Sequence, residues 1–229
     1  MESDLPLLEW VPRAVVFDCD GLLMDTEPCW TVAETELFAG RGLAFGPEQK
    51  ALLIGRSLRA GADLMADLFG EPGTGDAIAE ELLAAVAEIV STRAEAMFGA
   101  HRLVEMVARA VPVAVASNSP RVLLDAALLR GGFTGVFPVS VAADEVEQPK
   151  PAPDIYNRAC EMLGAVAEQT LAFEDSMTGL RSARAAGVRL VGVPTLRHDP
   201  FPADLVVESL ADGHLLAWIQ RWPVRPRDP

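Results

Sequence analysis

The 229-residue chain is short of lysine and of positive charge in general. Lys50 and Lys150 are its only lysines, and 19 basic residues stand against 33 acidic ones, for a net charge of −14. This balance argues against nonspecific binding to nucleic acid or to an anionic membrane. No apolar run reaches the roughly 18–20 residues of a membrane span, and the N-terminus lacks a basic targeting region. Three cysteines without close pairing favour a reducing compartment, so we expect a cytoplasmic protein. The composition leaves the oligomeric state open and is compatible with a monomer.

The most informative segment is a short apolar run that ends in acids. Residues 14–17 have the composition of a buried strand, and Asp18 and Asp20 follow directly, with Gly21 permitting a tight turn. Loops at the carboxyl ends of strands in an open α/β sheet are where ligands bind. Two carboxylates this close repel each other unless a cation or a reacting group uses them. The segment therefore predicts a site for Mg²⁺ and phosphate chemistry, with capping or turn formation as the structural alternative.

Later segments carry polar side chains at comparable points. Ser117 and Asn118 follow one apolar strand pattern, Lys150 precedes a helical pattern, and Glu174 and Asp175 end another strand pattern. Hydroxyl, amide and ammonium groups bind phosphate oxygens, whereas carboxylates bind Mg²⁺. Each segment also has an ordinary interpretation as a helix cap, a turn or a solvated loop.

Apolar runs of strand length alternate with helical patterns over most of the chain. Strands are predicted at 14–17, 113–116, 139–142, 171–173, 190–193 and 205–207. Most of these runs lack polar alternation, which is typical of a parallel sheet covered on both faces. The stretch 28–98 interrupts the alternation, because it shows helical periodicity, including a segment at 77–96, and no strand pattern. The sequence thus predicts an α/β fold with a doubly wound, Rossmann-like parallel sheet from residues 1–27 and 99–229. A helical domain, 28–98, is inserted after the first acidic loop.

The acidic and polar motifs described above, taken in their order along the chain, resemble those of the haloacid dehalogenase superfamily. The resemblance is to the branch of β-phosphoglucomutase-like and 2-deoxyglucose-6-phosphate phosphatase-like proteins. The matching segments run from Asp18-Cys-Asp-Gly, followed by Asp-Thr-Glu27, to Glu174-Asp175, and the resemblance covers nearly the whole chain. The resemblance implies that residues 28–98 form an α-helical cap domain. It also implies a Mg²⁺-dependent phosphoric monoester hydrolase whose partner is a small phosphorylated metabolite such as a sugar or polyol phosphate.

The resemblance implies a role for each matching residue of the reaction centre. Asp18 matches the nucleophile that forms an aspartyl-phosphate intermediate. Asp20 matches the general acid and base, which protonates the leaving group and later deprotonates water. Ser117, Asn118 and Lys150 match the groups that bind the phosphate, and Lys150 is also expected to pair with Asp18.

The implied metal ligands are the carboxylate of Asp18, the main-chain carbonyl of Asp20 and the carboxylate of Asp175. Glu174 is expected either to bind the ion or to orient a water on it. Mg²⁺ prefers such oxygen ligands. The alternative for the acid pair is an N-cap on the following helix, and this role is compatible with metal binding.

The sequence says less about which substrate is chosen and about whether the phosphoryl group is transferred to water or to a sugar. In the cap, Arg56 and Arg59 resemble residues that contact the leaving group, although exposed arginines on helices are common. A phosphomutase of the β-phosphoglucomutase kind uses the same core and a cap lysine, but residues 80–88 offer acids and alanines instead, which favours hydrolysis. A non-catalytic phosphometabolite-binding protein is the remaining alternative, and the intact set of acids and Lys150 argues against it.

Overall fold

A computed structural model describes residues 7–54, 56–195 and 201–225 of the chain. Its strands are β1 Ala14–Phe17, β2 Met24–Asp25, β3 Glu95–Ala96, β4 Val113–Ala116, β5 Val139–Val141, β6 Thr170–Glu174, β7 Arg189–Gly192 and β8 Leu205–Val206. Its helices are α1 Glu27–Gly40, α2 Pro47–Leu53, α3 Leu58–Phe69, α4 Gly75–Arg93, α5 Ala100–Ala110, α6 Arg121–Arg130, α7 Asp154–Leu163, α8 Met177–Ala185 and α9 Gly213–Gln220. None of the helices in these described ranges is long and apolar enough to cross a membrane.

Six strands form a parallel sheet in the order β5-β4-β1-β6-β7-β8. Strand β1 lies between β4 and β6, with Val16 opposite Ala114 on one side and Ala172 on the other. Strand order reverses at this point, and the carboxyl ends of the three strands meet there, where ligands bind in such sheets. The predicted α/β class, with a doubly wound parallel sheet and an inserted helical domain, is confirmed.

The central strands are buried because they consist mainly of apolar residues. Every residue of β1, β4 and β6 is buried. Helix α7 packs Ile155, Tyr156 and Ala159 against this part of the sheet. The six strands lie where the sequence predicted them, with ends that differ by one residue or coincide.

The chain divides into two compact units, Met1–Asp25 with Glu95–Pro229, and Thr26–Ala94. The sequence placed these borders after residues 27 and 98. The sequence pattern also predicted a helix at 77–96 and no strand there. The end of this prediction was wrong, because α4 stops at Arg93. Residues Glu95–Ala96 instead pair antiparallel with Met24–Asp25. Strands of two residues are too short to leave a periodic signal.

The second unit consists of α1 to α4 and carries its own ionic contacts. Arg41 binds Glu71 and Glu81 through its guanidinium group. Lys50 binds Glu27 at 2.8 Å and the largely buried Glu34 at 2.9 Å. The only lysine of this unit is thereby neutralised by two carboxylates.

Candidate active site

The end of β1 places the first acid at the centre of the sheet's carboxyl edge. The N–H of Asp18 still follows the strand and donates to the carbonyl of Phe173 at 3.0 Å. The carbonyl of Cys19 then accepts from three successive N–H groups downstream, which closes a compact turn. Gly21 has a φ of 82°, and a Cβ there would collide with the carboxylate of Asp175. The backbone of the turn therefore lies directly against Asp175, the acid that follows β6.

Lys150 joins two of the predicted acids. Its Nζ lies 2.7 Å from Oδ1 of Asp18 and 2.6 Å from Oε1 of Glu174, and its side chain is 3% exposed. Burial by itself lowers the pKa of Lys150, but attraction by Asp18 and Glu174 raises the pKa above its usual value overall, so this amine is an ammonium ion. The buried charge is thus paired on two sides, as a buried cation requires.

Asn118 holds the loop that carries this lysine. Its Oδ1 accepts from the main-chain N–H of Lys150 at 2.8 Å, and its Nδ2 donates to the main-chain carbonyl of the same residue at 3.2 Å. Both ends of the Asn118 amide are used in this pair. The side chain thus links the loop after β4 to the loop before α7, and its predicted contact with phosphate stays a prediction.

Three carboxylates converge in a buried cluster that fits a metal ion. Oxygens of Asp18, Glu174 and Asp175 lie within 4.8 Å of one another. Oδ2 of Asp175 accepts from the hydroxyl of Thr195 at 2.8 Å, whereas its buried Oδ1 has no partner among the described residues. A buried oxygen without a donor is costly unless another group binds it. Mg²⁺ prefers oxygen ligands of this kind, so the cluster suits that ion.

The pKa values of the cluster are those of crowded acids. Burial, and then repulsion from Glu174, raises the pKa of Asp18 well above its usual value, although Lys150 opposes the rise. The same two causes raise the pKa of Asp175 to about 6. A divalent cation would relieve this repulsion, so the electrostatics and the open oxygen favour the same ligand.

Asp20 is held by two hydroxyls from the loop after β4. The Oγ atoms of Ser117 and Ser119 both donate to Oδ2 of Asp20, at 2.8 and 2.9 Å. Ser117 was predicted to bind phosphate, and Asp20 to supply a main-chain metal ligand and the general acid. The structure brings these residues to the same edge of the sheet as Asp18, and their roles stay predictions.

The predicted cap arginines lie in the second unit and are exposed. Nε of Arg56 donates to the carbonyl of Leu52 at 2.6 Å. Arg59 forms ion pairs with Asp63 of its own helix α3 and with Asp76 of α4. These contacts give Arg59 a local structural partner, and contact of either residue with a leaving group stays a prediction.

Sequence reasoning missed three residues of the site. The hydroxyl of Tyr156 donates to Oε1 of Glu174 at 2.5 Å, Thr195 binds Asp175, and Ser119 binds Asp20. One signal was available for Tyr156, the only tyrosine of the chain, because it lies on the apolar side of a helical pattern and a buried phenol needs a partner. Burial and repulsion from Glu174 raise the pKa of Tyr156 well above its usual value, so it donates as a neutral phenol.

Comparison with known proteins identifies relatives along most of the chain. A family model described as haloacid dehalogenase-like hydrolase matches residues 12–187. The chain is 36% identical over 205 residues to Protein CbbY of Rhodobacter capsulatus, an alignment that covers 83% of this chain and 90% of the relative. It is 31% identical over 185 residues to Fructose-1-phosphate phosphatase YqaB of Escherichia coli, covering 80% of this chain and 96% of the relative.

Solved structures agree with this result. The structure of CbbY from Rhodobacter sphaeroides in complex with phosphate aligns with a TM-score of 0.79 and 27% identity, covering 91% of this chain and 99% of that one. A mutant of the same CbbY, in complex with xylulose-(1,5)bisphosphate, aligns with a TM-score of 0.78 over the same shares of both chains.

Proposed function

The chain belongs to the haloacid dehalogenase-like hydrolase family, and we propose that it is a Mg²⁺-dependent phosphatase of small sugar or polyol phosphates that works through a phosphoaspartate. The predicted superfamily is confirmed, as is the predicted enzyme class of phosphoric monoester hydrolase, since relatives are named phosphatases. The metal, the intermediate and the substrate class are the proposal. One relative is a fructose-1-phosphate phosphatase, and a similar structure is a complex with xylulose-(1,5)bisphosphate; both support a phosphorylated sugar or polyol as partner.

The reaction begins with attack by Asp18 on the phosphorus atom. A carboxylate oxygen forms the new bond, the bond from phosphorus to the ester oxygen breaks, and Asp20 gives its proton to the departing oxygen. Water then attacks the phosphorus, Asp20 takes the water's proton, and the bond to Asp18 breaks. Free phosphate leaves and both acids return to their starting states.

The ammonium group of Lys150 compensates negative charge during both steps. It already binds Oδ1 of Asp18, so it would lie beside a phosphoryl group attached to that carboxylate. Compensation of charge on the phosphoryl oxygens is the main demand of this chemistry. Tyr156 and Lys150 together fix one oxygen of Glu174, so that this acid cannot rotate freely.

The buried cluster is the observation that carries the proposal. Three carboxylates face one ammonium group, and one oxygen of Asp175 has no partner in the described part of the chain. Asp18 and Asp175 would hold Mg²⁺, with Glu174 beside them and the main-chain carbonyl of Asp20 as a further ligand. When bound, the ion supplies positive charge to the phosphoryl oxygens and balances the acids.

Hydrolysis is favoured over phosphomutase activity by the charges of the second unit. A mutase must hold a second phosphate while the intermediate reorients, which calls for a cation there. Lys50 is the only lysine of that unit, and Glu27 and Glu34 bind it. Arg41 and Arg59 are paired with acids as well, whereas Arg56 donates to the carbonyl of Leu52 and forms no ion pair with a described residue. Transfer to water needs no such group.

The experiment is a phosphate-release assay on a panel of sugar and polyol phosphates, with p-nitrophenyl phosphate as a general substrate. The wild type should turn over with Mg²⁺ and stop after chelation, and Asp18→Asn should lose activity by several orders of magnitude while its circular dichroism spectrum is unchanged. Asp125→Asn, an exposed aspartate paired with Arg121, is the matched control and should keep full activity. An active Asp18→Asn protein would overturn the nucleophile.

The mutase alternative is tested separately with β-glucose 1-phosphate and a trace of its bisphosphate. The proposal expects free phosphate. Accumulation of glucose 6-phosphate without free phosphate would replace it with the mutase, and absence of any turnover on either panel would leave only a binding role.

A further inference from the structure

Ser119 is buried beside Asp20 and has no role among the predicted site residues. Its hydroxyl donates to Oδ2 of Asp20 at 2.9 Å, and the same oxygen accepts from Ser117 at 2.8 Å. The main-chain N–H of Ser119 also donates to Oγ of Ser117 at 2.9 Å, which orients that hydroxyl toward the acid. Ser119 thus donates one hydrogen bond to Asp20 directly and a second one that orients the hydroxyl of Ser117.

The backbone around Ser119 is fixed to the neighbouring strand. The N–H of Ser117 donates to the carbonyl of Val141, and the carbonyl of Ser119 accepts from the N–H of Ala143. Ser117 is fully buried and Ser119 is 8% exposed. The two hydroxyls are therefore held by the sheet, and they fix the carboxylate of Asp20 in one orientation at the strand edge.

We propose that Ser119 is a positioning residue for proton transfer: it holds the carboxyl group of Asp20 in the orientation from which the acid transfers its proton. This inference rests on the proposed phosphatase function. A carboxylic acid that must donate and then accept one proton acts from a fixed orientation, and the two hydroxyls that donate to Oδ2 restrain that orientation. General acid catalysis depends on such placement within hydrogen-bond reach.

The prediction is a dependence on the leaving group. An alkyl alcohol leaves only when it is protonated, whereas p-nitrophenolate leaves without a proton. In Ser119→Ala, single-turnover cleavage of a polyol phosphate should therefore slow by about 10-fold or more, since positioned general acids contribute roughly 10²–10⁴-fold. Single-turnover release of p-nitrophenol should change by less than about threefold. The first turnover is measured because the later attack by water uses Asp20 as a base for both substrates.

Two variants separate positioning from general damage. Ser119→Thr keeps a hydroxyl at the same atom and should restore most of the polyol phosphate rate. Ser140→Ala removes a hydroxyl that serves Arg121, away from Asp20, and should leave both substrates unaffected. Thermal melting of all three proteins checks the fold.

Equal slowing of both substrates by Ser119→Ala, or no slowing of either, would overturn the role of Ser119 and leave the phosphatase intact. If the wild-type protein cleaved neither substrate, the proposed phosphatase function itself would be contradicted. Failure of Ser119→Thr to recover, in a protein that melts like the wild type, would also contradict the role of the hydroxyl.

Discussion

Replacement of Gly179 by alanine should destabilise the protein, although Gly179 lies inside a helix. Alanine at an exposed helix position stabilises by about 1 kcal/mol relative to glycine. At position 179 in α8, however, an added Cβ would collide with the carboxylate of Glu174, which is completely buried. The carboxylate would have to move away from Tyr156 and Lys150, its partners at 2.5 and 2.6 Å.

The size of the effect follows from those partners. Hydrogen bonds to charged groups contribute roughly 1.5–3 kcal/mol each, and overpacking a core costs about 1–3 kcal/mol. Partial relaxation and the helix propensity offset some of this loss. We expect Gly179→Ala to lower the free energy of unfolding by about 2–4 kcal/mol.

Urea unfolding followed by tryptophan fluorescence measures this change. Trp10, Trp218 and Trp222 are buried in the same unit as Gly179, so the signal reports on the sheet and its helices. Gly61→Ala is the matched control: position 61 also lies in the first turn of a helix, and a Cβ there meets only ordinary contact with Leu53. That variant should be as stable as the wild type or slightly more so. A Gly179→Ala protein with the stability of the wild type would refute the packing argument.

Three further outcomes concern the charged cluster. Lys150→Met removes the shared cation of Asp18 and Glu174, so urea unfolding should show a loss of about 3–5 kcal/mol, and a loss below about 1 kcal/mol would contradict the ionic pairing. Asp175→Asn should abolish the rise in melting temperature that saturating Mg²⁺ gives the wild type; a normal rise would exclude Asp175 as a ligand. The wild-type rise should also fade as the pH falls below about 6, because burial and then Glu174 raise the pKa of Asp175 from 3.8 to about 6. The folded state binds the proton more tightly, so metal-free stability falls as the pH rises from about 4 to 6, and Mg²⁺ can offset that loss only where the acid is ionised. A metal-induced rise independent of pH between 5 and 8 would contradict this account.

The sequence predicted the centre of the sheet well because local pattern and burial agree there. Residues 14–17 and 113–116 are apolar runs with no competing interpretation, and their ends place Asp18 and Ser117 at one edge. The contacts of Tyr156, Ser119 and Thr195 escaped prediction, because each depends on two segments that lie far apart in the chain. The pairing of Glu95–Ala96 with Met24–Asp25 was also not predicted, because two residues are too few to show the alternation of a strand.

That short antiparallel pair has a consequence for how the chain could be rebuilt. The residues at which the chain departs for α1 and returns from α4 lie side by side, with Asp25 opposite Glu95. A turn of about two residues would close this gap as a hairpin, so residues 26–94 form a removable cassette. Exchanging the cassette for that of a relative would test whether this unit sets the preference among phosphorylated metabolites.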